Sequence, residues 1–187
     1  FSASNIYDSD IYDTEGVLSL GKQGTRESNL RFDLSKGVTT EFWVNFNSSW
    51  TSTFGGFGSA RGNQVLFDLH NGALSSSVGY GRLLIFATGS GNEAGVDPIR
   101  VHLASGSNVW DVGFGGSTFT TSSLKDTWNH IALSFVSSST QLEAKFYLNG
   151  NLHETETNTT IAALGEITGS LKARVGAGVF GPSGSTL

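Results

Sequence analysis

The chain contains no cysteine in its 187 residues, which excludes disulfides, thiolate nucleophiles and cysteine-ligated zinc. That absence suits exposed proteins that manage without disulfides, including virion proteins assembled in a reducing cytoplasm. Proline is nearly missing as well, with 2 residues, so a proline-rich disordered linker is excluded. Charged residues make up 14 %, well below the usual share of roughly 25 %, and the surface must owe its polarity to Ser, Thr, Asn and Gly. No apolar run approaches the ~20 residues of a membrane-spanning helix. The sequence holds no methionine, even at position 1, and shows no signal-peptide pattern, from which we expect Phe1 to open a processed product or a fragment.

Positive charge is the scarcer sign. Eleven Lys and Arg against 16 Asp and Glu leave a net charge of −5, and the pI is near 5.2. No basic run is available to neutralise phosphates, which argues against nucleic acid as a partner.

What is present suits a β protein. The 13 Phe, 4 Trp and 4 Tyr, within an apolar fraction of 37 %, suffice for a packed interior, and the 25 Gly supply turns. The length fits one domain over residues 1–187. Apolar residues alternate with polar ones almost throughout, and no window of helical length carries an apolar stripe. Strands are expected over Gly16–Leu20, Asn29–Leu34, Thr39–Phe46, Gln64–Leu69, Arg82–Thr88, Ile99–Leu103, Trp128–Phe135, Leu142–Leu148 and Leu171–Val175. Phe1–Asp13 reads as a loop or an edge strand, and Trp110–Phe119 as a bulged strand and turn because of its glycines. Asn149-Gly150 between two alternating runs predicts a hairpin, since both turn positions tolerate positive φ. About ten strands at this spacing describe an antiparallel two-sheet sandwich, and no internal repeat suggests a propeller or solenoid.

Three stretches occur in a telling order: Thr40-Glu41-Phe42-Trp43-Val44, Trp128-Asn129-His130-Ile131-Ala132 and Phe146-Tyr147-Leu148-Asn149-Gly150. Together they resemble the laminin-G-like, concanavalin A-like lectin/glucanase superfamily, a jelly-roll sandwich, over about residues 15–180. The resemblance implies a final strand that closes the sheet beside the N-terminal one. Nothing of that kind precedes Leu187, so a missing C-terminal strand and an exposed edge are expected. A narrower resemblance is carried by Leu30-Arg31-Phe32-Asp33, Gly37–Trp43, Val65–Leu69 and Gly165–Gly169. These are similar to modules of large structural proteins of marine bacteriophages. That implies a decoration, fibre or tail-associated element on a virion surface, packed with other structural subunits in an oligomer or larger assembly and touching host-surface glycans. The alternative left open is a carbohydrate-binding or adhesion domain of a secreted bacterial multidomain protein, which is extracellular.

Catalytic patterns are sparse. A glucanase of this superfamily needs paired carboxylates on one strand, near Glu-x-Asp-x-Glu. The acidic groupings here are Asp8, Asp10, Asp13 and Glu15 in a terminal loop, and Glu154 with Glu156, which alternation assigns to a solvated strand face. His70, His102, His130 and His153 stand apart from any Gly-x-Ser-x-Gly elbow, and His130 is expected to hydrogen-bond within the sandwich. The chain is therefore expected not to be an enzyme and to need no cofactor. If a metal binds, hard oxygen ligands favour calcium, with Asp68, Asn71, Glu93 and Asp97 as candidates; turn formation accounts for the same residues and is favoured. The glycine pairs and Gly113–Gly116 precede no helix with a lysine and are turn glycines.

For a glycan, exposed rings matter, because a sugar's apolar face stacks on them while amides bind its hydroxyls. Trp50, Tyr80 and Trp110 lie in or beside Gly/Ser-rich loops and are the expected carbohydrate contacts. Trp43 and Trp128 lie in strands and are expected to pack in the core or between sheets. Asn47-Ser48-Ser49 and Asn158-Thr159-Thr160 match the glycosylation sequon.

Overall fold

Alternation of Phe42 and Val44 with Glu41 and Trp43 makes Val38–Val44 a strand with one face toward a core, and the same logic builds its neighbours. The computed structural model describes residues 32–46, 63–73, 78–88, 97–116, 119–161, 164–169 and 171–176. Within them the strands are β1 (Phe32–Asp33), β2 (Val38–Val44), β3 (Asn63–His70), β4 (Gly81–Thr88), β5 (Ile99–Ser105), β6 (Asn108–Phe114), β7 (Asn129–Ser137), β8 (Leu142–Leu148), β9 (Asn151–Asn158), β10 (Glu166–Ile167) and β11 (Lys172–Val175). They form a five-stranded sheet in the order β11-β3-β4-β5-β6, a four-stranded sheet in the order β2-β7-β8-β9, and the short pair β1-β10. Every pairing between these strands is antiparallel. The chain is an all-β sandwich.

Both large sheets send alternate side chains into one core. Ile131, Leu133 and Phe135 of β7 and Leu142, Ala144 and Phe146 of β8 meet Leu83 and Ile85 of β4, Val101 and Leu103 of β5, and Phe114 of β6. Stacked rings join the sheets: Phe146 lies 5.4 Å from Phe114 and 5.2 Å from Phe119, centroid to centroid. All eight residues of β4 are buried, as its nearly continuous apolar run requires of a central strand covered on both faces.

Turn chemistry follows the sequence closely. Asn149 and Gly150 adopt φ of 51° and 82°, which fits a tight turn between β8 and β9. Asn149 also ties the turn to β7: its Oδ1 accepts from the His130 amide and its own amide donates to the His130 carbonyl, both at 2.8 Å. The expected strand over Asn29–Leu34 is shorter within the described part. After Phe32–Asp33 the chain turns into a 3-10 segment, Leu34–Lys36, because Asp33 Oδ1 accepts from the Ser35 amide at 3.1 Å and its hydroxyl at 2.6 Å. The glycines of Trp110–Phe119 make no bulge in β6, which pairs residue for residue with β5. Gly113 is there for space, since a Cβ would collide with the Asp97 side chain. The irregularities fall instead between Val65 and Phe67 of β3 and between Phe146 and Tyr147 of β8.

On the face of the five-stranded sheet turned away from the core, Asp68 is fully buried and forms a bidentate pair with Arg82. Nε donates to Oδ1 and Nη2 to Oδ2, each at 2.9 Å. Breaking one half leaves a buried charge uncompensated. Asp68→Ala should therefore lower the unfolding free energy by roughly 3–5 kcal/mol. The double replacement Asp68→Leu with Arg82→Met should cost much less, as read by urea denaturation of both variants.

Candidate functional site: a groove between two tryptophans

The register of β2 against β7 decides where the candidate site lies. Phe42 pairs with Ile131 on the core side, so the next pair, Trp43 with His130, must face outward. Trp43 is 63 % exposed and Trp128, just before β7, is 64 % exposed. The expectation that both pack in the core or between sheets is overturned. Apolar character suggested burial, but alternation commits this side of β2 to Phe42 and Val44 inside and Trp43 outside.

Beside the two rings runs a groove of about 630 Å³, open to solvent, between β2 on one sheet and β3 with β11 on the other. The described residues lining it include the apolar Phe42, Val44, Phe46, Val65, Leu66 and Val175 and the amide-bearing Asn45 and Gln64. The volume falls within the ~300–1,000 Å³ of small-ligand sites. The Trp43 ring is supported from one side by His130, 5.2 Å away between centroids and tilted by 48°. His130 Nε2 lies 3.6 Å from Glu41 Oε2. The His130 side chain thus serves the outer face, while its backbone makes the bonds to Asn149.

Of the carbohydrate contacts expected from the sequence, Trp110 and Tyr80 fall among the described residues. Trp110 is 8 % exposed and belongs to the core: it alternates with Val109 and Asp111 and shares its face with Val112 and Phe114. Tyr80 is half-buried at the start of β4, where its carbonyl accepts from the Gly106 amide at 2.6 Å, and it does not line the groove. Trp50 lies outside the described residues.

Of the calcium candidates, Asp68, Asn71 and Asp97 fall among the described residues. Asp68 is held by Arg82. Asn71 is a loop clamp: Oδ1 accepts from the Ala73 and Gly81 amides, and Nδ2 donates to the carbonyls of Gly79 and Thr168. Asp97 is half-buried, and burial pushes its carboxyl up, with Arg100 opposing and nearby Glu154 adding to the rise. Glu93 lies outside the described residues. Among the described residues no group of three or more His, Asp or Glu is arranged to hold a metal ion.

Two further groupings were not visible in the linear sequence. Glu154, expected on a solvated face beside Glu156, accepts from the Gly115 amide at 3.0 Å and links the β9 edge to the chain leaving β6. The outer face of the five-stranded sheet gathers cations that are scattered in sequence. Lys172 lies opposite His70, and His70 opposite Arg82; Arg174 lies opposite Asp68; Arg100 is two residues from His102 on β5. His102 Nδ1 meets Asp111 Oδ1 at 2.7 Å, directly across β5 and β6. His70 Nδ1 accepts from the Gly72 amide at 3.1 Å.

No family model matches the chain, and no curated protein matches it. A solved structure similar to it is that of alginate lyase vAL-1 from Chlorella virus, with 14 % identity and a TM-score of 0.44 over 68 % of this chain. The match spans 55 % of that protein's chain. The expectation that this chain is not an enzyme is withdrawn, since that neighbour is an enzyme. At this similarity the neighbour assigns no reaction here.

His70 supplies a pH prediction. Burial lowers its pKa from 6.5; Asp68 opposes this, and Arg174, Arg82 and Lys172 reinforce it. The unfolded chain then binds a proton that the folded chain refuses, so stability is full above about pH 6.5 and declines as pH falls below it. In urea unfolding at pH 7.5 and 5.5, His70→Gln should lose less stability on acidification than the parent protein.

Proposed function

We propose that this chain is a surface-contact module that binds glycans in the groove flanked by Trp43 and Trp128. The observation that carries the reading is the exposure of these two indoles, 63 % and 64 %, at the rim of a groove whose described lining includes the amide-bearing Asn45 and Gln64. Leaving two large rings in water forgoes the burial that would stabilise the fold. A pyranose ring offers them a C–H face to cover, and Asn45 and Gln64 can bind its hydroxyls through groups that both donate and accept. His130 behind Trp43 limits the ring's movement, which lowers the entropy lost on binding. A setting on a virion surface, among other structural subunits, is supported by the sequence resemblance to phage structural modules and is proposed on that basis.

The test is a glycan array followed by calorimetry on the binders. Trp43→Ala and Trp128→Ala should each weaken binding by about tenfold or more, about 1.4 kcal/mol. Both should unfold within about 1 kcal/mol of the parent, because the rings are exposed. Undiminished binding in both variants would remove the groove as the site.

A further inference from the structure

Resting on the glycan reading of the groove, we infer that its ligand is an uncharged glycan, a neutral hexose chain rather than a uronate-bearing or sulfated one. Among the described residues, none that lines the groove carries a charge. A carboxylate or sulfate placed against Phe42, Val44, Val65 and Leu66 would give up its hydration without a cation to replace it. Neutral hydroxyls lose less, and the amides of Asn45 and Gln64 match them in both donor and acceptor capacity.

The charges around the groove point the same way. Glu41 shares the outer face of β2 with Trp43, its side chain is 67 % exposed, and it stands beside His130. An anionic sugar stacked on Trp43 would meet that carboxylate at close range. Arg174 adjoins the lining residue Val175 in sequence but is buried, and alternation turns it to the opposite face of β11, where it pairs across from Asp68. Lys125 forms a backbone bridge with Phe46 and is not part of the lining. The other clustered cations, Arg82, Arg100 and Lys172, lie on the outer face of the five-stranded sheet.

The experiment titrates the full chain, and Trp43→Ala beside it, with four probes: a neutral β-glucan oligosaccharide, a neutral galactan oligosaccharide, an oligouronate and a sulfated galactan. Calorimetry is run at about 10 mM and about 0.5 M salt, conditions that span weak and strong screening. The expected result is that a neutral probe binds at least about tenfold more tightly than either anionic one. Its Kd should be nearly independent of salt, and its binding should be weakened in Trp43→Ala. Tighter binding of an anionic probe, lost in Trp43→Ala and weakened by salt, would overturn the neutral specificity while leaving the groove as a glycan site. Binding of none of the four, by a chain shown to be folded, would overturn both.

Discussion

The alternation of side chains along an antiparallel strand is the constraint on which the rest of this structure depends. Once Phe42 and Val44 are committed to the core, the register with β7 leaves Trp43 no choice of face. A one-residue slip would bury the indole and expose Phe42, with every other side chain of β2 inverted as well. The packing of Ile131, Leu133 and Phe135 of the neighbouring β7 into the core holds the register. The exposed tryptophan is thus a consequence of core formation, and the groove beside it exists because the core places β2 opposite β3 and β11.

The two sides of the sandwich are finished differently. Where β6 and β9 approach, Glu154 reaches across to the Gly115 amide. His153 meets Phe119 edge-on with centroids 5.7 Å apart, capping the Phe114–Phe146–Phe119 stack. Near β2 and β11, the gap between the sheets opens into the groove. A carboxylate that accepts a backbone hydrogen bond closes one side, and two indoles stand at the open one. The polar anchor and the apolar rim follow from different residue choices on strands of the same architecture.

Charge follows a similar division. The buried Asp68–Arg82 pair spends its electrostatic attraction largely on offsetting desolvation. What it does contribute is specificity of pairing, since a bidentate guanidinium–carboxylate contact fits one geometry between β3 and β4. Around it, burial lowers the pKa of His70, with Asp68 opposing and the cations Arg174, Arg82 and Lys172 reinforcing the shift. This polar face and the groove, whose described lining is uncharged, occupy different parts of the molecule.

The sequence by itself determined the class of fold, the positions of most described strands and the sharp turn at Asn149-Gly150, because period-two alternation and positive-φ turn residues are local properties; the expected strand Gly16–Leu20 lies outside the described residues. Strands β3, β4, β5, β7, β8 and β11 lie within two residues of the bounds that alternation implied. It also contained the signal for Trp43, in the order Glu41-Phe42-Trp43-Val44, although the size and hydrophobicity of the ring argued for burial. What only the tertiary structure decided was which rings, amides and charges meet. Trp110 reads as a loop aromatic until β5 sets its register and turns it inward against Leu103. Asp68 and Asn71, for which the sequence favoured turn formation over calcium, are claimed by Arg82 and by four backbone groups. Trp43 and Trp128 are 85 residues apart by their numbers, and residues so distant share a site only through strand pairing. Contacts between distant strands depend on register and sheet order, and neither is a local property of the chain.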